Sequence, residues 1–186
     1  MDIGIWGDSI TYGEWDSEAL GWVGRLRKSM PDSEVYNHGI CSDTTTRLLK
    51  RFSTEAASRS LEMVVFAIGI NDSRYPVGKT ESETPMEEFR KNLSLLIAQA
   101  RQYADNIKLV GTTRIDDALV AAWDTPFFNK EIEKYNEALK EIATEENVPF
   151  IDVLDVLNPA TDLADGLHPN AQGYDKLFQT IAAHLK

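Results

Sequence analysis

The chain has 186 residues, 42% of them hydrophobic and 26% charged, a balance far from the low-hydrophobicity compositions that stay unfolded. At roughly 150 residues per domain it reads as a single domain, 1–186, able to bury a core. Its 19 Lys and Arg stand against 30 Asp and Glu, a formal net charge of −11, which works against nucleic acid and anionic membranes because phosphate binding needs clustered cations.

Met1 leads almost directly into the apolar run Ile3 to Trp6, with no basic n-region or long apolar h-region before it, so a cytoplasmic protein is expected. Weak helical patterning follows over Leu20 to Met30, then a strand over Glu34 to Tyr36, a second weak helix over Thr44 to Ser58, and a strand over Met63 to Ile68. Met86, Phe89, Leu93, Leu96, Ile97, Ala100 and Tyr103 keep the three-and-four spacing of one helix face. A strand over Ile107 to Val110, a helix carrying Ile132, Tyr135, Leu139, Ile142 and Ala143, a strand over Pro149 to Val153, and a helix carrying Tyr174, Leu177, Phe178, Ile181 and Leu185 complete the chain.

Alternating strands and helices imply parallel pairing through right-handed crossovers, hence a three-layer α/β/α domain around a parallel five-stranded sheet. No stretch of about 18 apolar residues reads as a membrane span. Two long connections, Ser73 to Pro85 and Arg114 to Phe128, are candidates for pocket walls. The single cysteine, Cys41, excludes an intrachain disulfide framework and an all-thiolate zinc site; lacking a matched partner as a nucleophile, it reads as a small buried side chain.

Ligands of such sheets bind beyond the carboxyl ends of the strands, so the chemistry belongs to the residues just after each one. The first strand runs into Gly7-Asp8-Ser9-Ile10, the second into Asn37-His38-Gly39-Ile40, the third into Gly69-Ile70-Asn71-Asp72, and Asp165-Gly166-Leu167-His168-Pro169 follows the fifth. Alone, each is an ordinary turn composition. Together they supply a hydroxyl, an imidazole to take its proton and a carboxylate to orient the imidazole, which are the parts of a nucleophilic hydrolase. The Ser9 and Gly39 backbone N–H groups and the Asn71 amide are candidate donors to a developing oxyanion.

These blocks resemble those of the SGNH hydrolases, also called GDSL esterases and lipases. Gly7 to Ile10 is close to that family's Gly-Asp-Ser-Leu, with Ile10 as a volume-conserving departure. Gly39 is matched to its second-block glycine, Gly69 to Asp72 to its Gly-x-Asn-Asp, and Asp165 to His168 to its Asp-x-x-His. The resemblance implies a flavodoxin-like fold and carboxylic ester hydrolysis without metal or organic cofactor. It makes Ser9 the nucleophile, His168 the base and Asp165 its partner, with Ser9, Gly39 and Asn71 as the oxyanion hole. Acetylated carbohydrate, small alkyl or aryl esters, thioesters and lysophospholipids all fall within it, and the limited loop length favours short acyl groups.

Pro169 disfavours helical geometry at His168, which keeps the imidazole at the mouth of the last helix. Asp162 is a rival carboxylate to Asp165, while Asp8 and Asp72 read as carboxylates that accept backbone N–H groups and fix their loops. His184 reads as a helix-end residue and His38 as a packing or turn residue. Among the loop aromatics Trp15, Trp22, Tyr75, Trp123, Phe127 and Phe128, the cluster Trp123, Phe127 and Phe128 is expected to line an acyl or leaving-group pocket. Two other classes compete with the esterase: a non-catalytic flavodoxin-like module binding flavin or nucleotide, and a metal-assisted phosphoesterase using Asp8, Asp72, Asp165 and His168. Oligomeric state has no signature in the sequence.

Overall fold

The computed structural model describes residues 1–185. Five strands, β1 (Asp2–Gly7), β2 (Glu34–Gly39), β3 (Met63–Ala67), β4 (Asn106–Val110) and β5 (Phe150–Ile151), pair in parallel in the order β2-β1-β3-β4-β5. Strand order therefore reverses between β1 and β3, the switch point at which such sheets open a crevice. Among the described residues eight helices accompany them: α1 (Ser9–Tyr12), α2 (Gly21–Ser29), α3 (Thr45–Ala56), α4 (Met86–Ala100), α5 (Asp117–Val120), α6 (Asn129–Glu145), and, after β5, α7 (Pro159–Asp162) and α8 (Ala171–Ala182).

Side-chain alternation along the strands builds two cores. Ile3, Ile5, Met63 and Val65 pack beneath α2 and α8 against Trp22, Leu26, Tyr174 and Leu177. The intervening Trp6, Val64 and Phe66 pack beneath α3, α4 and α6 against Phe52, Phe89, Leu93 and Tyr135. The Trp6 indole lies flat on His38 at 4.5 Å and meets the Phe52 ring edge-on at 4.9 Å. A third, smaller cluster of Ile70, Ile115, Val120, Phe127, Ile132 and Leu167 sits under the long connections. Among the described residues no helix is long and apolar enough to cross a membrane.

The elements differ from the sequence expectation at their ends and in the short pieces. β5 covers Phe150–Ile151 instead of Pro149 to Val153, because the chain turns at once after the strand, with Asp152 accepting the Leu154 N–H. The last helix begins before Tyr174, at Ala171, where the Asn170 side chain caps the Gly173 N–H. Helices α1, α5 and α7 and a 3-10 turn at Asn71–Ser73 have no counterpart in the periodicity, since a single turn completes no apolar repeat.

Register sets the level of the site. Gly7 pairs with Gly39 on one side and Ala67 on the other, so the segments after β1, β2 and β3 leave the sheet at the same height.

Candidate active site

Ser9 is the first residue of α1. Asp8 caps that helix in an extended conformation, its Oδ1 accepting the Ile10 N–H at 2.9 Å, and Gly13 ends it in the left-handed region at φ +99°. The helix needs close contact with β2. A Cβ on Gly39 would lie 2.3 Å from the Tyr12 nitrogen, so a glycine there lets the turn that carries Ser9 seat against the sheet.

His168 approaches from the loop between α7 and α8. Its backbone N–H donates to Asp165 Oδ1 at 2.8 Å, and its Nδ1 lies 2.8 Å from Asp165 Oδ2, while the Leu167 N–H joins Oδ1 at 2.9 Å. Burial acts to raise the Asp165 carboxyl, but these donors outweigh it and hold the group below its usual range. A carboxylate can only accept here, so Nδ1 carries the ring proton and Nε2 presents a lone pair. Ser9 Oγ lies 2.9 Å from that Nε2. Residues 159 positions apart thus join in one series of hydroxyl, imidazole and carboxylate. Asp162 is committed elsewhere: fully buried, it accepts from the Asn158 N–H at 2.7 Å and pairs with Lys176 at 2.7 Å.

Asn71 is buried and donates one amide N–H to the Asp43 carbonyl at 3.0 Å, leaving its second N–H free among the described residues. Asp72, beside it, accepts the Thr45 N–H and Thr45 hydroxyl and joins the 3-10 turn to the start of α3. Burial pushes the carboxyls of Asp8 and Asp72 up, to about 7 and about 6. Among the described residues no group of three or more His, Cys, Asp or Glu side chains is arranged to hold a metal ion.

Two expectations need correction on the β2 side. The Gly39 N–H donates to Asn37 Oδ1 at 2.9 Å, so it is occupied, and the glycine serves the close approach of α1 instead. Ser42, three residues on, is the residue that lines the depression around Ser9; it adopts φ +63°, and its N–H, like that of Ser9, has no acceptor among the described residues. Cys41 is exposed, not buried, because the chain has left the sheet for the rim of this depression. Its thiol donates to Glu14 Oε2 at 3.2 Å, and desolvation against the wall together with that carboxylate pushes it up to about 11, which leaves it a poor nucleophile.

The depression, of about 250 Å³, is lined by Ser9, Ser42, Asn71 and His168 together with Trp123, Phe127 and Leu167 on its apolar side and Glu14, Trp15 and Arg74 on its rim. Trp123 meets Phe127 edge-on at 6.3 Å. Phe128 does not line it: its ring turns outward, 38% exposed, and packs on Tyr75 at 5.9 Å, because the start of α6 redirects the chain after Phe127. Trp15 and Ser42 were not recognisable as site residues in the sequence, since what brings both to the rim is a left-handed backbone carried by residue types that give no sign of it.

Comparison with known proteins agrees with this architecture. Residues 5–176 match the GDSL-like Lipase/Acylhydrolase family. A multidomain esterase of Ruminococcus flavefaciens is 31% identical over 134 residues, which make up 68% of this chain and 16% of that protein. An acetylxylan esterase of Geobacillus stearothermophilus is 25% identical over 206 residues, covering 96% of this chain and 86% of the relative. The crystal structure of Axe2, an acetylxylan esterase of the same organism, superposes with a TM-score of 0.80 at 22% identity over 99% of this chain and 93% of that one, a likeness of fold. With the strand order, the four sequence blocks and the family match all converging on the crevice after β1, β2 and β3, the chain belongs to the GDSL-like lipase/acylhydrolase family of ester hydrolases.

Proposed function

We propose that this chain is a serine esterase that releases short acyl groups, acetyl foremost, from hydroxyls of carbohydrate by way of an acyl-enzyme. The observation that carries the reading is the unbroken series from Ser9 Oγ through the His168 ring to Asp165, at 2.9 and 2.8 Å.

Ser9 Oγ attacks the acyl carbon as its proton passes to His168 Nε2; Asp165 keeps the ring oriented and stabilises the imidazolium. The carbonyl oxygen becomes an oxyanion that accepts from the Ser9 N–H, the Ser42 N–H and the free N–H of the Asn71 amide. These donors are set before reaction, so they lower the barrier without reorganising. The bond to the alcohol oxygen then breaks, and the alcohol leaves with the proton from His168. Water attacks the acyl-enzyme, gives its proton to His168, and the acid departs as Ser9 recovers its hydrogen.

Short acyl chains fit a depression of about 250 Å³. The acetylated-carbohydrate assignment draws on the relatives, two of which are esterases by name and one of which acts on acetylxylan. A flavin or nucleotide module leaves the Ser9–His168–Asp165 series without a purpose, and a phosphoesterase built on Asp8 and Asp72 meets carboxylates already engaged by backbone N–H groups. Ser9→Ala tests the reading: kcat on acetate esters falls by roughly 10⁴- to 10⁶-fold, with the thermal unfolding curve unmoved. Near wild-type turnover in that variant overturns it.

A further inference from the structure

Trp15 stands out at the rim. It is 60% exposed, it lines the depression that holds Ser9 and His168, and no aromatic ring packs on it among the described residues. Its backbone lies at φ +63°, a conformation bulky side chains avoid and one that persists only where the surroundings impose it.

Those surroundings are elaborate for a surface turn. On one side, the Glu14 N–H donates to the Ser9 carbonyl at 3.0 Å and the Tyr174 hydroxyl donates to the Glu14 carbonyl at 2.7 Å. On the other, the buried Asp16 carboxylate accepts from the N–H groups of Glu18, Leu20 and Gly21 and pairs with Arg25 at 2.5 Å. The turn thus fixes the backbone from which the indole projects into water, on the same short segment as the proposed nucleophile. A strained, solvent-facing aromatic beside a reactive hydroxyl is arranged for a ligand that supplies the missing apolar contact.

We infer that Trp15 is the stacking platform for the sugar ring of the ester substrate and so determines selectivity for acetylated carbohydrate over simple acetates. This inference rests on the esterase reading. A pyranose presents a face of C–H groups carrying partial positive charge, which suits the electron-rich face of an indole. Trp123 is a weaker candidate, being half-buried and packed on Phe127.

The test compares kcat/KM for singly acetylated xylobiose with that for ethyl acetate, whose leaving group has no ring, in the wild type and in Trp15→Ala, Trp15→Phe and Ser9→Ala. The sugar-to-ethyl selectivity falls about tenfold in Trp15→Ala, the size of one aromatic stacking contact. The fall appears in KM for the sugar, and Trp15→Phe recovers most of it. An unchanged ratio, with activity on both esters still dependent on Ser9, overturns the platform and leaves the esterase standing. Equal losses on both esters assign Trp15 a structural role and overturn it too, as does conversion of a dimer to a monomer in light scattering with the ratio unmoved, which makes the indole a contact between copies. Activity that survives Ser9→Ala removes the esterase reading and the platform with it.

Discussion

Ser42 and Trp15 both hold φ +63°, and the price of that backbone conformation gives each a measurable signature. Left-handed geometry costs an L-residue about 1–2 kcal/mol, with β-branched side chains suffering most. If Ser42 acts through its N–H, the conformation matters and the hydroxyl does not. Ser42→Val should therefore lose at least about tenfold more kcat than Ser42→Gly, because turning one oxyanion donor away costs about 10²- to 10³-fold; equal losses would assign the role to the hydroxyl. Trp15→Gly relieves strain and gives up little packing from a side chain 60% exposed, against an added unfolded-state entropy of about 0.5–1 kcal/mol. Its Tm should hold or rise by about 2–4 °C, and a marked fall would show that the indole braces the turn. The same two residues mark the limit of what was legible. In the proposed mechanism Ser9, Asn71, Asp165 and His168 serve through side chains whose chemistry is written in their identity, whereas Ser42 and Trp15 owe their position to torsion angles. Gly39 misled for the complementary reason: a glycine after a strand permits either a free N–H or a close approach, and only the position of Asn37 Oδ1 decides which.

At the scale of elements, the seating of α1 on β2 couples stability to activity. A Cβ at position 39 meets backbone at 2.3 and 2.7 Å, the nitrogen and Cα of Tyr12, which cannot swing aside as a side-chain tip would. Gly39→Ala must therefore push back the turn that carries Ser9. We expect a loss of about 1–3 kcal/mol in urea unfolding together with at least a tenfold fall in kcat on acetate esters. A stability loss with kcat intact would separate the seating of α1 from the placing of Ser9. The strands and the long helices were legible because burial on one or both faces imposes a period. Parallel pairing followed from that alternation and the crossover rule, whereas the order β2-β1-β3-β4-β5 is set by which strands meet in the folded sheet. The one-turn helices were not, being set by caps such as Asp116 on the Ala118 and Leu119 N–H groups and by contacts such as the Asp116 N–H to the Gly166 carbonyl. The 114–128 connection is consequently a packed wall, with Val120 fully buried and the Tyr75 N–H donating to the Pro126 carbonyl.

For the whole molecule, the carboxylates divide into two groups that pull the pH dependence of stability in opposite directions. Asp16, Asp162 and Asp165 sit below the usual range, because their cationic and N–H partners outweigh burial. Their contribution is present above the unfolded value near 4 and is lost as pH falls through their lower folded values. Asp8 and Asp72 are the reverse, pushed by burial to about 7 and about 6. Below about pH 4 both are protonated whether folded or unfolded. Between there and pH 7 the unfolded chain releases protons that the folded chain retains, so stability declines as pH rises, and above 7 the penalty is complete. Asp43, also raised by burial, adds to this trend, so for the carboxylates stability should be greatest near pH 5, while His38, held by burial below its usual value, opposes it as pH falls below the unfolded value near 6.5. The net charge of −11 favours the same side, since its self-repulsion eases as carboxylates protonate, so a wild-type profile alone cannot separate the two causes. Asp8→Asn does so. The asparagine oxygen still accepts the Ile10 N–H, and no charge is left to bury. The gain in Tm over wild type should reach about 4 °C or more at pH 8 and shrink towards zero by pH 4.5. A gain equal at both pH values would attribute the effect to local packing, and the absence of any gain at pH 8 would mean that Asp8 is ionised at no cost within the fold.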